Sequence, residues 1–212
     1  MSQIILDMGS GNTCQNNWDI AKKMIDTVAE IDTHKHEVIF KYQLFEKAEP
    51  NIPLYRDIFA RAYTYTESLG YQTTSSVFDI HALNYLLMWD IPFVKIPCRP
   101  ELYWLIGEIP RKYMVYVSIE NLIYYELYQN YFIGARDVEM ACVPKYPAKI
   151  DEYEEMFDTE LGEAISDHVK GLSLWYIFEP EIWEKHFCLE HDDKNPDAGD
   201  FAITPEELKE IL

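Results

Sequence analysis

The chain has 212 residues, a formal net charge of −19, and 48% hydrophobic and 15% aromatic residues. That much apolar material excludes a disordered chain, and the acidic balance argues against nucleic acid or an anionic membrane surface as a partner. No apolar run approaches the ~18 residues of a membrane span, and the four scattered cysteines show neither zinc spacing nor a disulfide framework, so a cytoplasmic protein is expected.

Met1-Ser2-Gln3 shows no signal-peptide pattern and runs into a short apolar strand, Ile4-Ile5-Leu6, that ends in Asp7. The Gly-Ser-Gly-Asn-Thr turn at residues 9–13 is either a plain strand-to-helix connection or a set of backbone amides for a phosphate. Asn17 caps a predicted helix in which Ile20, Ala21, Met24, Ile25 and Val28 recur at helical spacing. Val38-Ile39-Phe40 begins a second strand that continues through Lys41-Tyr42-Gln43. A lysine inside a strand buried on both faces is costly unless it points into a polar pocket. The alternative is an edge-strand lysine reaching solvent.

Residues 46–53 read as a loop, and Leu54 to Leu69 as a helix ended by Gly70. Thr73 to Phe78 is a hydroxyl-rich third strand, after which Asp79 starts a helix through Met88. Phe93-Val94-Lys95-Ile96-Pro97-Cys98 repeats the arrangement of a lysine within an apolar run, and two such lysines on separate strands favour a shared pocket. Glu101 to Ile109 is a short helix, Met114 to Ser118 the fifth strand, and Asn121 to Tyr131 the next helix. Val138 to Val143 is strand six, followed by Pro144-Lys145-Tyr146-Pro147. Ile150 to Leu161 is an acidic amphipathic helix with a solvated face.

Strands seven and eight fall between Ala164 and Phe187 and end in two charged clusters, Ser166-Asp167-His168 and Glu184-Lys185-His186. Buried parallel strands that end in titratable groups are how a (β/α)8 barrel presents its chemistry; polar strand ends wetted by solvent are the alternative. In the barrel both clusters face one pocket, with His168 as metal ligand or acid–base and Lys185 as an anion holder. Glu190 to Asp200 is a polar loop, and Thr204-Pro205-Glu206-Glu207 starts a last helix. About eight strands alternate with about eight helices, and no Gly/Ser-rich linker splits them. The expectation is an α/β protein, a compact (β/α)8 TIM barrel filling residues 1–212 as a single domain. A doubly wound open sheet is the competing layout, but the first turn lacks its dinucleotide fingerprint.

FKYQLF (40–45), SSVFD (75–79), FVKIPC (93–98), ACVPKYPAK (141–149), ISDHVKG (165–171), WEKHFCL (183–189) and the trailing TPEEL resemble, in order, segments of the sialic acid synthase family of N-acetylneuraminate and related nonulosonic-acid synthases. The succession KYPA, SDH, EKHF is the specific part. The resemblance implies a TIM barrel that condenses phosphoenolpyruvate with N-acetylmannosamine or a related amino-sugar aldose, using Mn2+ or Mg2+. Carried over by position, it makes Lys41 and Lys95 the holders of the phosphoenolpyruvate carboxylate and phosphate. Gln43, Ser76, Cys98 and Ser118 lie around that ligand, Cys98 standing where a serine is usual. His168 resembles one of two metal-binding histidines, and Lys185 a further substrate-side group; Asp7, Lys95 and Lys185 are the catalytic candidates.

The departures are specific too. The second metal histidine falls at Ala141, with Cys142 or Asp7 as conceivable substitutes, and an Ala141→His change is expected to raise metal affinity. Asp7 replaces a glutamate one methylene longer, and Thr13 replaces a histidine. The family's C-terminal antifreeze-like domain is not represented, which leaves a homo-oligomer or a separate capping chain as possible partners. Two functions remain open: an active synthase, or a degenerate barrel acting as an anion-binding or scaffold protein.

Overall fold

The computed structural model describes residues 1–47, 51–131, 137–157 and 164–212. Part of the expected loop at 46–53 and the end of the helix expected to reach Leu161 lie outside the described residues. Among the described residues, eight parallel strands close into a barrel in chain order: β1 (Gln3–Asp7), β2 (Glu37–Leu44), β3 (Gln72–Val77), β4 (Phe93–Ile96), β5 (Met114–Ile119), β6 (Asp137–Cys142), β7 (Ala164–Asp167) and β8 (Ile182–His186). β8 pairs back onto β1, with Asp7 opposite His186. The closed (β/α)8 barrel replaces the open-sheet alternative.

Strand periodicity sorts the side chains into two layers. Inward positions low in the barrel are apolar: Ile5, Ile39, Phe93, Tyr116, Met140 and Ala164 form a floor, with the Phe93 and Tyr116 rings stacked at 3.9 Å. Outward positions such as Ile4, Phe40, Val94, Val117, Ile165 and Trp183 belong to the larger core beneath the helices. One level above the floor, toward the carboxyl ends of the strands, the inward positions turn polar. Nothing in the hydrophobic fraction of a strand reveals that change, since both faces are buried.

The helices are α1 (Gly11–Cys14), α2 (Trp18–Ile31), α3 (Arg56–Ser68), α4 (Ile80–Leu86), α5 (Leu122–Gln129), α6 (Ile150–Phe157), α7 (Ser173–Phe178) and α8 (Pro205–Leu208). Asn17, Asp79 and Asn121 cap α2, α4 and α5, their side chains accepting from the amides of Asp19, Ala82 and Tyr124. Thr204 and Glu207 close a capping box on α8. The segment expected as a helix at 101–109 is a 3-10 helix, Pro100–Glu108. Tyr103, Ile106 and Ile109 are all buried. Three residues per turn sets them in one row, which an α-helix would splay. No helix among the described residues is long and apolar enough to cross a membrane.

Candidate active site

A cavity of about 380 Å³ opens at the carboxyl ends of the strands. Its chemistry comes from the upper inward positions: Asp7 of β1, Lys41 and Gln43 of β2, Ser76 of β3, Lys95 of β4, Ser118 of β5, Cys142 of β6, Ser166 of β7, and Glu184 and His186 of β8. His168, Cys98, Arg99 and Tyr146 join them from the loops that follow the strands. Of the nine candidate site residues, Asp7, Lys41, Gln43, Ser76, Lys95, Cys98, Ser118 and His168 line this space and Lys185 does not; nor does Ala141 of β6, the position of the second metal histidine.

Glu184 is the hub. Its Oε1 lies 3.3 Å from Lys41 Nζ and 3.5 Å from Lys95 Nζ, and accepts from Ser166 Oγ at 3.0 Å. Lys41 Nζ also donates to Asp7 Oδ2 at 2.7 Å and to Ser76 Oγ at 2.8 Å, while Lys95 Nζ donates to Ser118 Oγ at 2.6 Å. Gln43 Nε2 donates to Asp7 at 3.0 Å. Lys41 and Lys95 are 2% and 1% exposed, so neither is an edge lysine reaching solvent. Burial pushes the Asp7 carboxyl up, but Lys41 and His186 outweigh it and hold the group well below the usual carboxylate range. Burial works against Glu184 in the same way and is outweighed by Lys41 and Lys95, so its pKa is lowered. Lys41, disfavoured by burial, is raised by Asp7 and Glu184.

The two histidines share one end of the cavity. Their rings are 5.8 Å apart, and Tyr146 packs 4.2 Å from His168 and 5.9 Å from His186. His168 Nδ1 is 2.6 Å from the Val143 carbonyl, which sets it as the donor in that contact. His186 Nε2 lies 3.6 Å from Asp7 Oδ2, while its Nδ1 and Glu184 Oε2 are buried with no hydrogen-bond partner among the described residues. Those two atoms are where a ligand would find unused hydrogen-bonding capacity. Burial lowers the His186 pKa; in His168 the thiol of Cys142 outweighs burial and raises it.

Lys185 is a correction. It is fully buried on the other face of β8, paired with Asp167 at 3.0 Å and donating to the Val169 carbonyl, and it cannot hold an anion in the cavity. Asp167 in turn accepts from Trp183 Nε1 at 3.0 Å. The signal was in the strand itself: Trp183, Lys185 and Phe187 share one parity, and two large apolar residues mark it as the side facing the helices. Glu184 and His186, the alternate pair, are the site residues missed. Ala141 is a second correction of the same kind. It packs in the outer core with Ile165, and Cys142 is the residue of β6 that faces the cavity.

The turn at residues 9–13 binds no phosphate through its amides, because they are already used. The Ser10 amide and hydroxyl donate to Asp197 Oδ2 at 2.9 and 2.7 Å, and the Gly9 amide to Asp7 Oδ1 at 2.9 Å. Gly9 adopts φ +74°, and a Cβ there would meet Asp197 at 2.9 Å. The tail expected as a plain polar loop thus shapes the site. Pro196 and Asp197 line the cavity, and Phe201 packs 5.1 Å from His186 and 4.9 Å from Tyr146.

A resident Mn2+ or Mg2+ would need oxygen-rich donors gathered at one point. Among the described residues, no group of three or more His, Cys, Asp or Glu side chains is arranged to hold a metal ion. His168 and Cys142 are nitrogen and sulfur donors, whereas these hard ions prefer oxygen. The donor set does not fit either ion.

No protein-family model matches the sequence, and no curated protein matches it either. Solved structures do. The chain is similar to an N-acetylneuraminic acid (sialic acid) synthetase from Leptospira borgpetersenii serovar Hardjo-bovis, solved in complex with citrate, at 19% identity and a TM-score of 0.76 over 98% of this chain and 80% of that one. The likeness is one of fold. The spore coat polysaccharide biosynthesis protein SpsE of Bacillus subtilis gives 20% identity and a TM-score of 0.73, over 99% of this chain and 65% of that one. A phospho-2-dehydro-3-deoxyheptonate aldolase (DAHP synthase) from Thermotoga maritima gives 10% identity and 0.69, over 99% and 68%. The proteins that share the fold include those whose motifs the sequence resembles.

Proposed function

We propose that this barrel binds phosphoenolpyruvate at its mouth and condenses it with N-acetylmannosamine or a related amino-sugar aldose, giving a nonulosonic acid and phosphate. The observation that carries the proposal is the convergence of two buried lysines, Lys41 and Lys95, on one cavity at the carboxyl end of a synthase-like barrel. The likeness to a sialic acid synthetase and the motif resemblance support it.

Lys41 and Lys95 hold the carboxylate and phosphate of the ligand, with Gln43, Ser76, Cys98 and Ser118 completing the polar lining. The exposed Arg99 adds a third cation at the rim. Fixed cations in a site shielded from water favour a trianion more strongly than the same charges on a surface. The enol carbon attacks the aldose aldehyde, whose oxygen takes a proton, and the resulting cation at the phosphate-bearing carbon is captured by water. The tetrahedral product then loses phosphate by C–O cleavage. Asp7 and Glu184 orient that water, and His186 presents for proton transfer an Nδ1 with no partner among the described residues.

One observation favours the second function, a barrel that keeps an anion site without turnover. Lys41 is already bonded to Asp7, Ser76 and Glu184, so a ligand must compete with carboxylates in place. Isothermal titration with phosphoenolpyruvate, followed by phosphate release with a panel of aldoses, separates the two. Binding with release that Lys95→Ala abolishes is the expected result. Binding without release for any aldose leaves the anion-binding barrel, and no binding at all overturns the assignment of the lysines.

A further inference from the structure

Two cavity-lining thiols take no part in the bond-making and proton-transfer steps above. Cys142, at the end of β6, and Cys98, just past β4, approach each other across the mouth of the barrel. The Cys98 Sγ lies 4.0 Å from the Cys142 carbonyl oxygen. On its other side the Cys142 Sγ is 4.0 Å from His168 Nδ1. The remaining cysteines stand apart from this pair, Cys14 in the outer core and Cys188 in a small cluster with Ala198 and Ala202. All four are free thiols.

We infer that Cys98 and Cys142 form a redox-active pair, a modification site for hydroperoxides inside the cavity. The cavity admits a molecule as small as hydrogen peroxide, and Cys98 is partly exposed to it. Cys142, whose Sγ lies beside the His168 ring, is the attacking sulfur. Its thiolate displaces hydroxide from the peroxide O–O bond, and with one proton taken up the products are a sulfenic acid and water. The Cys98 thiol then attacks that sulfenic sulfur, a second water leaves, and the disulfide forms. Two electrons pass from the sulfur pair to the peroxide, so no further oxidant is needed. A resolving thiol lining the same cavity favours the disulfide over further oxidation.

The disulfide ties the ends of β4 and β6 together and draws the Cys142 sulfur from His168. It removes the Cys98 thiol from the lining beside Lys95. If the cavity binds phosphoenolpyruvate as proposed above, oxidation lowers that affinity at least tenfold, and dithiothreitol restores it. This consequence rests on the proposed function, but the chemical event does not.

The test is made on the reduced full-length chain, treated with hydrogen peroxide, blocked with N-ethylmaleimide and mapped by mass spectrometry. The expected result is loss of two hydrogens from the intact mass, alkylation confined to Cys14 and Cys188, and a dithiothreitol-reversible peptide joining Cys98 to Cys142. With Cys98→Ser, the Cys142 sulfenic acid should persist and be trapped by dimedone. Alkylation of all four cysteines, a link through Cys14 or Cys188, or oxidation that ends as a sulfinic acid on Cys142 in the wild-type chain overturns the inference. Because the readout is a covalent link, a chain that binds no phosphoenolpyruvate still decides it.

Discussion

Lys41 illustrates how much a single side chain is asked to balance. Its ammonium is buried, and burial alone would favour its neutral form, yet Asp7 and Glu184 keep it charged. Removing one partner from a buried charge network leaves the others uncompensated, at a cost of about 3–5 kcal/mol. Lys41→Met should therefore lower the chemical-denaturation midpoint by that equivalent and abolish phosphoenolpyruvate binding together. Lys185→Met separates the two effects. Asp167 is left buried without its cation, so stability should again fall by about 3–5 kcal/mol, while phosphoenolpyruvate affinity measured by titration stays within twofold. A tenfold loss of affinity in a folded Lys185→Met protein would contradict its placement between sheet and helices. Neither role can be assigned from residue type, because both are lysines in apolar strands; their parity within the strand divides them.

At the scale of elements, register determines what each strand offers. Ala141 and Cys142 are neighbours in sequence and face opposite layers. Ala141→His forces an imidazole into packed core beside Ile165, an overpacking that costs about 1–3 kcal/mol, and it brings no gain in Mn2+ affinity by titration. That outcome differs from the one expected from motif alignment, where position counts but facing does not. The connection between β1 and α2 depends on a partner far along the chain. Asp197 accepts from both the amide and the hydroxyl of Ser10. Asp197→Ala leaves those donors buried without an acceptor, and unfolding should become easier by about 1–3 kcal/mol, with faster amide exchange at Ser10. Helix caps, by contrast, were legible from local sequence. Asn17, Asp79 and Asn121 each cap the helix that directly follows, an interaction that spans two or three residues.

For the whole molecule, the buried charges of the cavity set the response to pH. Asp7 and Glu184 are held below their ordinary values of 3.8 and 4.5, so their contribution is present above those values and is lost as pH falls through the lower folded-state ones. Lys41 is raised above 10.5, so its contribution is present below 10.5 and lost only at higher pH; burial-depressed Lys185 opposes it, stability rising toward 10.5 as its charge is shed. Near 6.5 the two histidines oppose each other, because raised His168 favours folding at lower pH and lowered His186 at higher pH. Thermal melting followed against pH should therefore show a plateau through neutrality and a fall below about pH 4. A maximum below pH 4 would contradict the carboxylate assignments. The order of strands and helices, the two lysine-bearing strands and the charged strand ends were determined by sequence alone, because alternation, capping and the cost of a lysine in an apolar run are local properties. Only the tertiary structure decided that Glu184 and His186 meet Asp7 and the two lysines in one cavity, that Ala141 faces away from it, and that Asp197 fills the first turn. Which face of a doubly buried strand looks inward depends on barrel closure, and that is a relation among all eight strands.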